Sequence, residues 1–226
     1  MKLGAIIQAR MSSVRFSGKS LKPMNGRPML HYLVERLQHC DCLAEIVLAT
    51  STDPTDDELA AWGKSQGIAV HRGDLNNVAQ RFVSALETQD WDAFVRVNGD
   101  SPLLDIDLIQ QAWKIFQSQS CDLVTNTFPK SFPKGQSVEI LRRAAFLEAA
   151  PKMTSPNDQE HVTYYCYQNP HELQIFNFHH NPDLSHLQFS VDDAIDFQQC
   201  EEMLKHMIRP HWTYGLEELV SLKQKM

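Results

Sequence analysis

The sequence predicts an α/β fold, a mostly parallel central sheet with helices on both faces. One pattern carries this. Short apolar runs bounded by turn residues alternate with stretches of helical spacing through roughly the first 125 residues. Such alternation is solved by parallel strands joined by crossover helices, in which ligands bind beyond the carboxyl ends of the strands.

Taken in order, Leu3–Ile7 reads as a buried strand, and Pro28 to Leu37 as a helix burying Leu30, Leu33, Val34 and Leu37. Strand 45–50, helix 56–66, strand 68–71 and a helix through Val78, Phe82, Val83 and Leu86 follow. A strand over 94–97 ends at Gly99-Asp100, and helix 108–116 leads to strand 122–125. The turn-rich stretch 126–134 (Phe128-Pro129, Phe132-Pro133) interrupts the pattern. Beyond it the spacing predicts strand 138–141, helices 142–150 and 158–168, and strands 173–178 and 187–191. A helix through Phe197, Met203 and Leu204 and a last one over 216–223 complete the set. Residues 1–226 form one domain on this reading, with a helical C-terminal extension over 208–226, and no internal repeat or linker divides it.

The 21 basic and 28 acidic side chains give a net charge of −7, which argues against broad nucleic-acid binding and leaves room only for a local anion site. Five cysteines with no CxxC pair read as reduced, small buried residues. The N-terminus has no signal-peptide pattern, no apolar run reaches membrane-spanning length, and the expected setting is the cytoplasm. Ten histidines without HExxH spacing argue against zinc.

The local anion site is the loop after the first strand, Gln8-Ala9-Arg10-Met11-Ser12-Ser13-Val14-Arg15-Phe16-Ser17-Gly18-Lys19-Ser20-Leu21-Lys22. Four cations offset phosphate charge, while hydroxyls and backbone N–H groups suit phosphate oxygens. Gly18-Lys19-Ser20 imitates a Walker A loop, but Ser13 stands where that motif wants Gly, and Pro23 follows closely. No G-x-G-x-x-G is present. Two carboxylates lie at strand ends: Asp100 in Val97-Asn98-Gly99-Asp100-Ser101-Pro102, and Asp192 in Ser190-Val191-Asp192-Asp193. Magnesium takes one or two carboxylates with phosphate oxygens and water, so both are candidate Mg²⁺ ligands, although an Asp in either place also suits a helix cap.

The loop resembles the signature of the sugar cytidylyltransferases, close to (P/Q)-A-R-x-x-S-x-R-L-P-G-K. The form opening with Gln is that of the SpsF-type spore coat polysaccharide biosynthesis proteins, similar to CMP-KDO and CMP-acylneuraminate synthetases. Gln8, Ala9, Arg10, Ser13, Arg15, Gly18 and Lys19 fit, whereas Phe16 and Ser17 replace Leu-Pro and imply a less rigid loop. The likeness runs on through Gly26-Arg27-Pro28-Met29-Leu30 to about Leu204. It implies the nucleotide-diphospho-sugar transferase fold (GT-A or Rossmann-like) and transfer of CMP from CTP to an acidic or amino sugar, with pyrophosphate leaving. Arg10, Lys19 and Asp100 then take catalytic roles. The nucleotide falls to Gln8, Ala9, Arg10, Ser13, Arg15, Gly18, Lys19, Arg72, Arg81 and Asn98.

The segment around Asp192 resembles the family's V-D-T-P-E-D-F, whose first Asp joins the Gly-Asp carboxylate on Mg²⁺. Glu160-His161-Val162-Thr163 matches E-H-V-T on the acceptor side, and Gln136 and Glu139 fall in a segment usually written D-G-L-D-V-E, with Lys134 and Ser137 in place of its aspartates. A homodimer is implied by the same resemblance. Two competing functions remain at this stage: a glycosyltransferase using a nucleotide-sugar donor, and a nucleotide-binding regulatory protein without turnover. Four cations in one loop suit a triphosphate better than a sugar diphosphate.

Overall fold

The computed structural model describes residues 1–13 and 15–226; Val14, inside the basic loop, lies outside the described residues. Strands β1 (Leu3–Gln8), β4 (Leu43–Ser51), β5 (Ala69–Gly73) and β6 (Ala93–Asn98) alternate with helices α1 (Met29–Gln38), α2 (Asp57–Ser65) and α3 (Val78–Glu87). After α4 (Ile106–Ser118) come β7 (Leu123–Thr125), β8 (Glu139–Arg142) and α5 (Arg143–Ala149). Two short helices, α6 (Pro156–Glu160) and α7 (Tyr164–Gln168), precede β9 (Ile175–Asn177), and α8 (Ala194–Lys205) and α9 (Leu216–Gln224) end the chain.

The sheet runs β5-β4-β1-β6-β8-β7-β9, and β8 alone among these strands runs against its neighbours. Register decides where a ligand meets the sheet. Gln8 pairs with both Ala49 and Asn98, so β1, β4 and β6 end in step and present one carboxyl edge. The central strands are buried on both faces, which is why they read as continuous apolar runs. One face packs Ile7, Val95 and Val97 under α1, α4, α8 and α9; the other packs Ile6, Phe94 and Leu141 under α3, α5 and α7. On the second face Phe82, Phe94 and Phe146 meet with centroids 5.2–6.4 Å apart, and full burial of each such ring is worth about 2–3 kcal/mol.

The structure departs from the sequence expectation in three places. Residues 187–191 form no strand; only Gln188 bridges to Lys134. The expected helix 158–168 is two helices, parted at 161–163. A small hairpin, β2 (Pro23–Met24) with β3 (Arg27–Pro28), precedes α1, turning on Asn25 (φ 47°) and Gly26 (φ 80°). The stretch 208–226 packs into the main core through Tyr214, Leu216, Leu219 and Val220. It is held there by Arg36 of α1, fully buried, which donates to the carbonyls of Leu104, His211 and Tyr214. Among the described residues no helix is long and apolar enough to cross a membrane.

Candidate active site

At the carboxyl edge of β1 and β6 the chain leaves a cavity of about 310 Å³. Its walls are Gln8, Ala9, Arg10, Ser13, Arg15, Lys19, Ser20, Val78, Arg81, Asn98, Gly99, Asp100 and Glu160. Nearly every expected nucleotide residue is thus brought together from three separate segments, and Glu160 joins them from a fourth. Gly99 makes this approach feasible: its N–H donates to the Gln8 carbonyl at 2.9 Å, and a Cβ there would lie 2.7 Å from that of Ala9.

The basic loop folds back on itself around Met11, whose carbonyl accepts from the N–H groups of Ser13 and Gly18, both at 2.9 Å. Gly18, at φ 72°, turns the chain into a single 3₁₀ turn, Lys19–Leu21. Lys19 therefore opens no α-helix, and the Walker-like spelling is coincidental. Phe16 lies edge-on to Phe197 of α8 with centroids 5.7 Å apart, and the Lys22 ammonium sits over both rings. Phe16, which stands where the family has Leu, thus anchors this part of the loop to α8.

Three of the loop's four cations pair with a carboxylate. Arg10 donates to Glu160 at 3.0 Å, Arg15 to Asp192 at 2.9 Å, and buried Lys19 lies 3.4 Å from Asp100 and 2.6 Å from the Val191 carbonyl. The Asp192 segment is tied to the Asp100 segment directly, since the Val191 N–H donates to the Asp100 carbonyl at 2.8 Å. The two ambiguous aspartates divide their duties. Asp193 caps α8 by accepting from Ile195 and Asp196, which leaves Asp192 to Arg15 and Gln188. Asp105 likewise caps α4 and accepts from the Leu216 N–H.

Arg81 is 1% exposed. Its Nε and Nη2 donate to the carbonyls of Asp74 and Leu75, while its Nη1 has no partner among the described residues. Burial, with the Arg10 charge adding to it, draws its pKa below the ordinary guanidinium range against the pull of Asp56. An unmatched buried donor on a cavity wall is costly unless a ligand oxygen or ring nitrogen takes it.

Beside the cavity, a polar chain crosses the sheet edge. Arg96 donates to Gln8 Oε1 at 3.3 Å and to Glu139 at 2.6 Å; Glu139 also accepts from the Tyr167 hydroxyl at 2.5 Å, and that hydroxyl meets those of Thr125 and Thr127. Burial, then the Glu139 charge, pushes the Tyr167 phenol well above its ordinary pKa, so it remains a donor.

Three expected contacts fall elsewhere. Gln136 is buried away from the cavity, its amide spent on the Leu103 carbonyl and the Asp105 N–H. Arg72 is engaged by the carbonyls of Ser51 and Asp53 and by Asp57. His161 is exposed at the end of α6 and does not line the cavity. Glu139 stands beside the cavity with its charge already matched by Arg96. Sequence reasoning passed over Asp56, Arg96, Gln188 and Tyr167. A lone charge inside an apolar strand was the available sign for Arg96.

No cluster of three or more metal-ligating side chains occurs among the described residues. Asp100 and Asp192 nevertheless fit Mg²⁺, since they are hard oxygen donors on adjoining segments, and that ion completes its shell with phosphate oxygens and water. All five cysteines are free; Cys40 and Cys42 bring their Sγ atoms to 3.5 Å at the start of β4, far from this chemistry.

The cytidylyltransferase family profile matches residues 4–226. The spore coat polysaccharide biosynthesis protein SpsF of Bacillus subtilis is 32% identical over 206 residues, 88% of this chain and 84% of the relative. A cytidylyltransferase structure from Leptospira borgpetersenii superimposes with a TM-score of 0.94 at 26% identity, covering 100% of this chain and 94% of that one. CMP:2-keto-3-deoxy-manno-octonic acid synthetase complexed with CTP shares the fold, with a TM-score of 0.68 at 17% identity over 91% of this chain and 99% of that one. With its sheet, its cavity at the carboxyl edge and its nearly full-length match, this chain belongs to the cytidylyltransferase family.

Proposed function

We propose that this enzyme transfers CMP from CTP to a hydroxyl of an acidic or amino sugar, releasing pyrophosphate, in the assembly of a surface polysaccharide or glycan. The observation that carries the reading is the convergence of Arg10, Arg15 and Lys19 on one cavity that Asp100 also lines, with Asp192 paired to Arg15. Three cations suit the β- and γ-phosphates and a departing pyrophosphate, whose charge they stabilise as it develops. The free Nη1 of Arg81, with Gln8 and Asn98, serves the nucleoside, and Glu160 and the Glu139 network border the acceptor. Mg²⁺ held by Asp100 and Asp192 would neutralise charge at the α-phosphate. The protein's own part is positioning: aligning an acceptor hydroxyl for in-line attack and excluding water. Arg72 and Gln136 serve by bracing loops. The SpsF relative and the CTP-bound synthetase support this choice of nucleotide and product class.

The test is a screen of four nucleoside triphosphates with Mg²⁺ against acidic and amino sugars, read by pyrophosphate release. CTP with one sugar class is the expected pair. Glycosyl transfer from a nucleotide-sugar donor, with no pyrophosphate from any triphosphate, would overturn the assignment.

A further inference from the structure

Asp56 begins as an ordinary expectation. It stands immediately before α2, where an aspartate caps a helix. Its side chain makes no capping bond there, and the preceding 3₁₀ turn is capped by Asp53 instead. Asp56 is fully buried, and an isolated buried carboxylate is expensive. Its oxygens are accounted for at two places. Oδ2 accepts from the N–H of Ser51, at 3.1 Å, and from the Ser51 hydroxyl, both at the end of β4. Oδ1 accepts from the N–H of Met11 at 2.7 Å.

Met11 is the residue on which the basic loop turns. Its carbonyl collects the N–H groups of Ser13 and Gly18 and the Ser17 hydroxyl, while its N–H goes to Asp56. One residue thereby joins Arg10 on one side to the stretch leading to Lys19 on the other. Asp56 is its attachment to the sheet.

We infer that Asp56 is a positioning residue of the nucleotide site: it fixes the Met11 peptide against the end of β4 and so aims the cations of the basic loop at the β- and γ-phosphates. The inference rests on the triphosphate reading of that loop. Asp56 touches no substrate; it acts through Met11. A displacement of reacting groups by about 1 Å costs up to 10²-fold, so loss of the attachment is felt where the loop meets phosphate and hardly at all where the nucleoside binds.

The test compares the affinities of CTP and CMP, each with Mg²⁺, for the wild type, Asp56→Ala and Asp56→Asn, alongside thermal melting. Asp56→Ala weakens CTP by about tenfold or more and leaves CMP within about twofold, because CMP lacks the two phosphates that the loop holds. Asp56→Asn falls between them, since one amide oxygen still accepts from Met11 but no longer from both N–H groups. Should Asp56→Ala fail to fold, Asp56→Asn carries the comparison alone. Parallel weakening of CTP and CMP, or unchanged CTP affinity, overturns the inference and reduces Asp56 to a structural anchor. A wild type that binds CTP no better than CMP overturns the triphosphate reading itself, a separate failure visible before any variant is made.

Discussion

Asp100 and Lys19 show how differently two neighbours can weigh on fold and chemistry. The Asp100 carboxylate is about 30% exposed and, among the described residues, meets only Lys19 and Ser101, both beyond 3.2 Å. The structural duty at this position belongs to its backbone carbonyl, which accepts from Val191 and which any residue supplies. Asp100→Ala is therefore expected to lower kcat by about 10²-fold or more, with the melting temperature nearly unchanged, because charge placed for a transition state contributes on that scale. Steady-state turnover beside a thermal melt checks it; a metal-dependent Asp100→Ala enzyme with normal turnover would remove Asp100 from the site. Lys19 offers no such clean separation, since its buried ammonium also holds the Val191 carbonyl at 2.6 Å.

At the scale of elements, the periodic helices and the central strands were legible because their apolar spacing is dictated by burial on one stripe or on both faces. The failures have local causes. A two-residue strand such as Pro23–Met24 has no period to read. Leu187, Phe189 and Val191 alternate like a strand and are packed in or against the core, yet their backbone N–H groups serve the carbonyls of Leu184, Lys134 and Asp100 instead of a neighbouring strand. Alternation reports burial, and the ladder is a separate fact. The basic loop and Asp100 were legible from composition and place, whereas Arg96 and Asp56 work through partners distant in sequence. Arg36 is another such case. It fastens the turn at His211–Thr213 to α1 through the carbonyls of His211 and Tyr214, and takes the Leu104 carbonyl as well. Arg36→Met is expected to cost about 3 kcal/mol in denaturant unfolding by stranding those acceptors, while CTP affinity is kept. Equal stability of the variant would show that the turn holds without it.

For the whole molecule, net charge −7 and a cation-lined cavity are compatible because the acidic side chains lie mainly outside the site. Stability toward acid has a definite source where the C-terminal stretch meets α1. His211 is buried under Tyr32, with its Nε2 2.9 Å from Glu35, and burial, helped by Arg36, pushes its pKa down to about 4. The folded form keeps this imidazole neutral while the unfolded chain protonates it near 6.5, so its contribution is whole above that pH and lost as the pH falls toward about 4. Glu35 adds to the same slope. Burial works to raise its pKa, but His211, His31 and Arg27 together hold it below the usual carboxylate value. Melting temperatures between pH 7 and pH 4 (about one per half unit) should decline for the wild type and flatten for His211→Asn; a flat wild-type profile would refute this source. The reversed strand β8 has a consequence of another kind. β7 brings the chain to the carboxyl edge and β8 carries it away again after 127–135, a segment closed at its neck by Asn126, which donates to the Gln136 carbonyl and accepts from the Val138 N–H, both at 2.8 Å. Beyond that clasp the segment lies on the far side of β6 from β1 and β4. Within it only 128–130 and Lys134 are exposed, while Phe132 packs into the core and Gly135, at φ 87°, abuts the Ser190 backbone, so sequence variation that spares the ladder is confined to the outer tip of this segment.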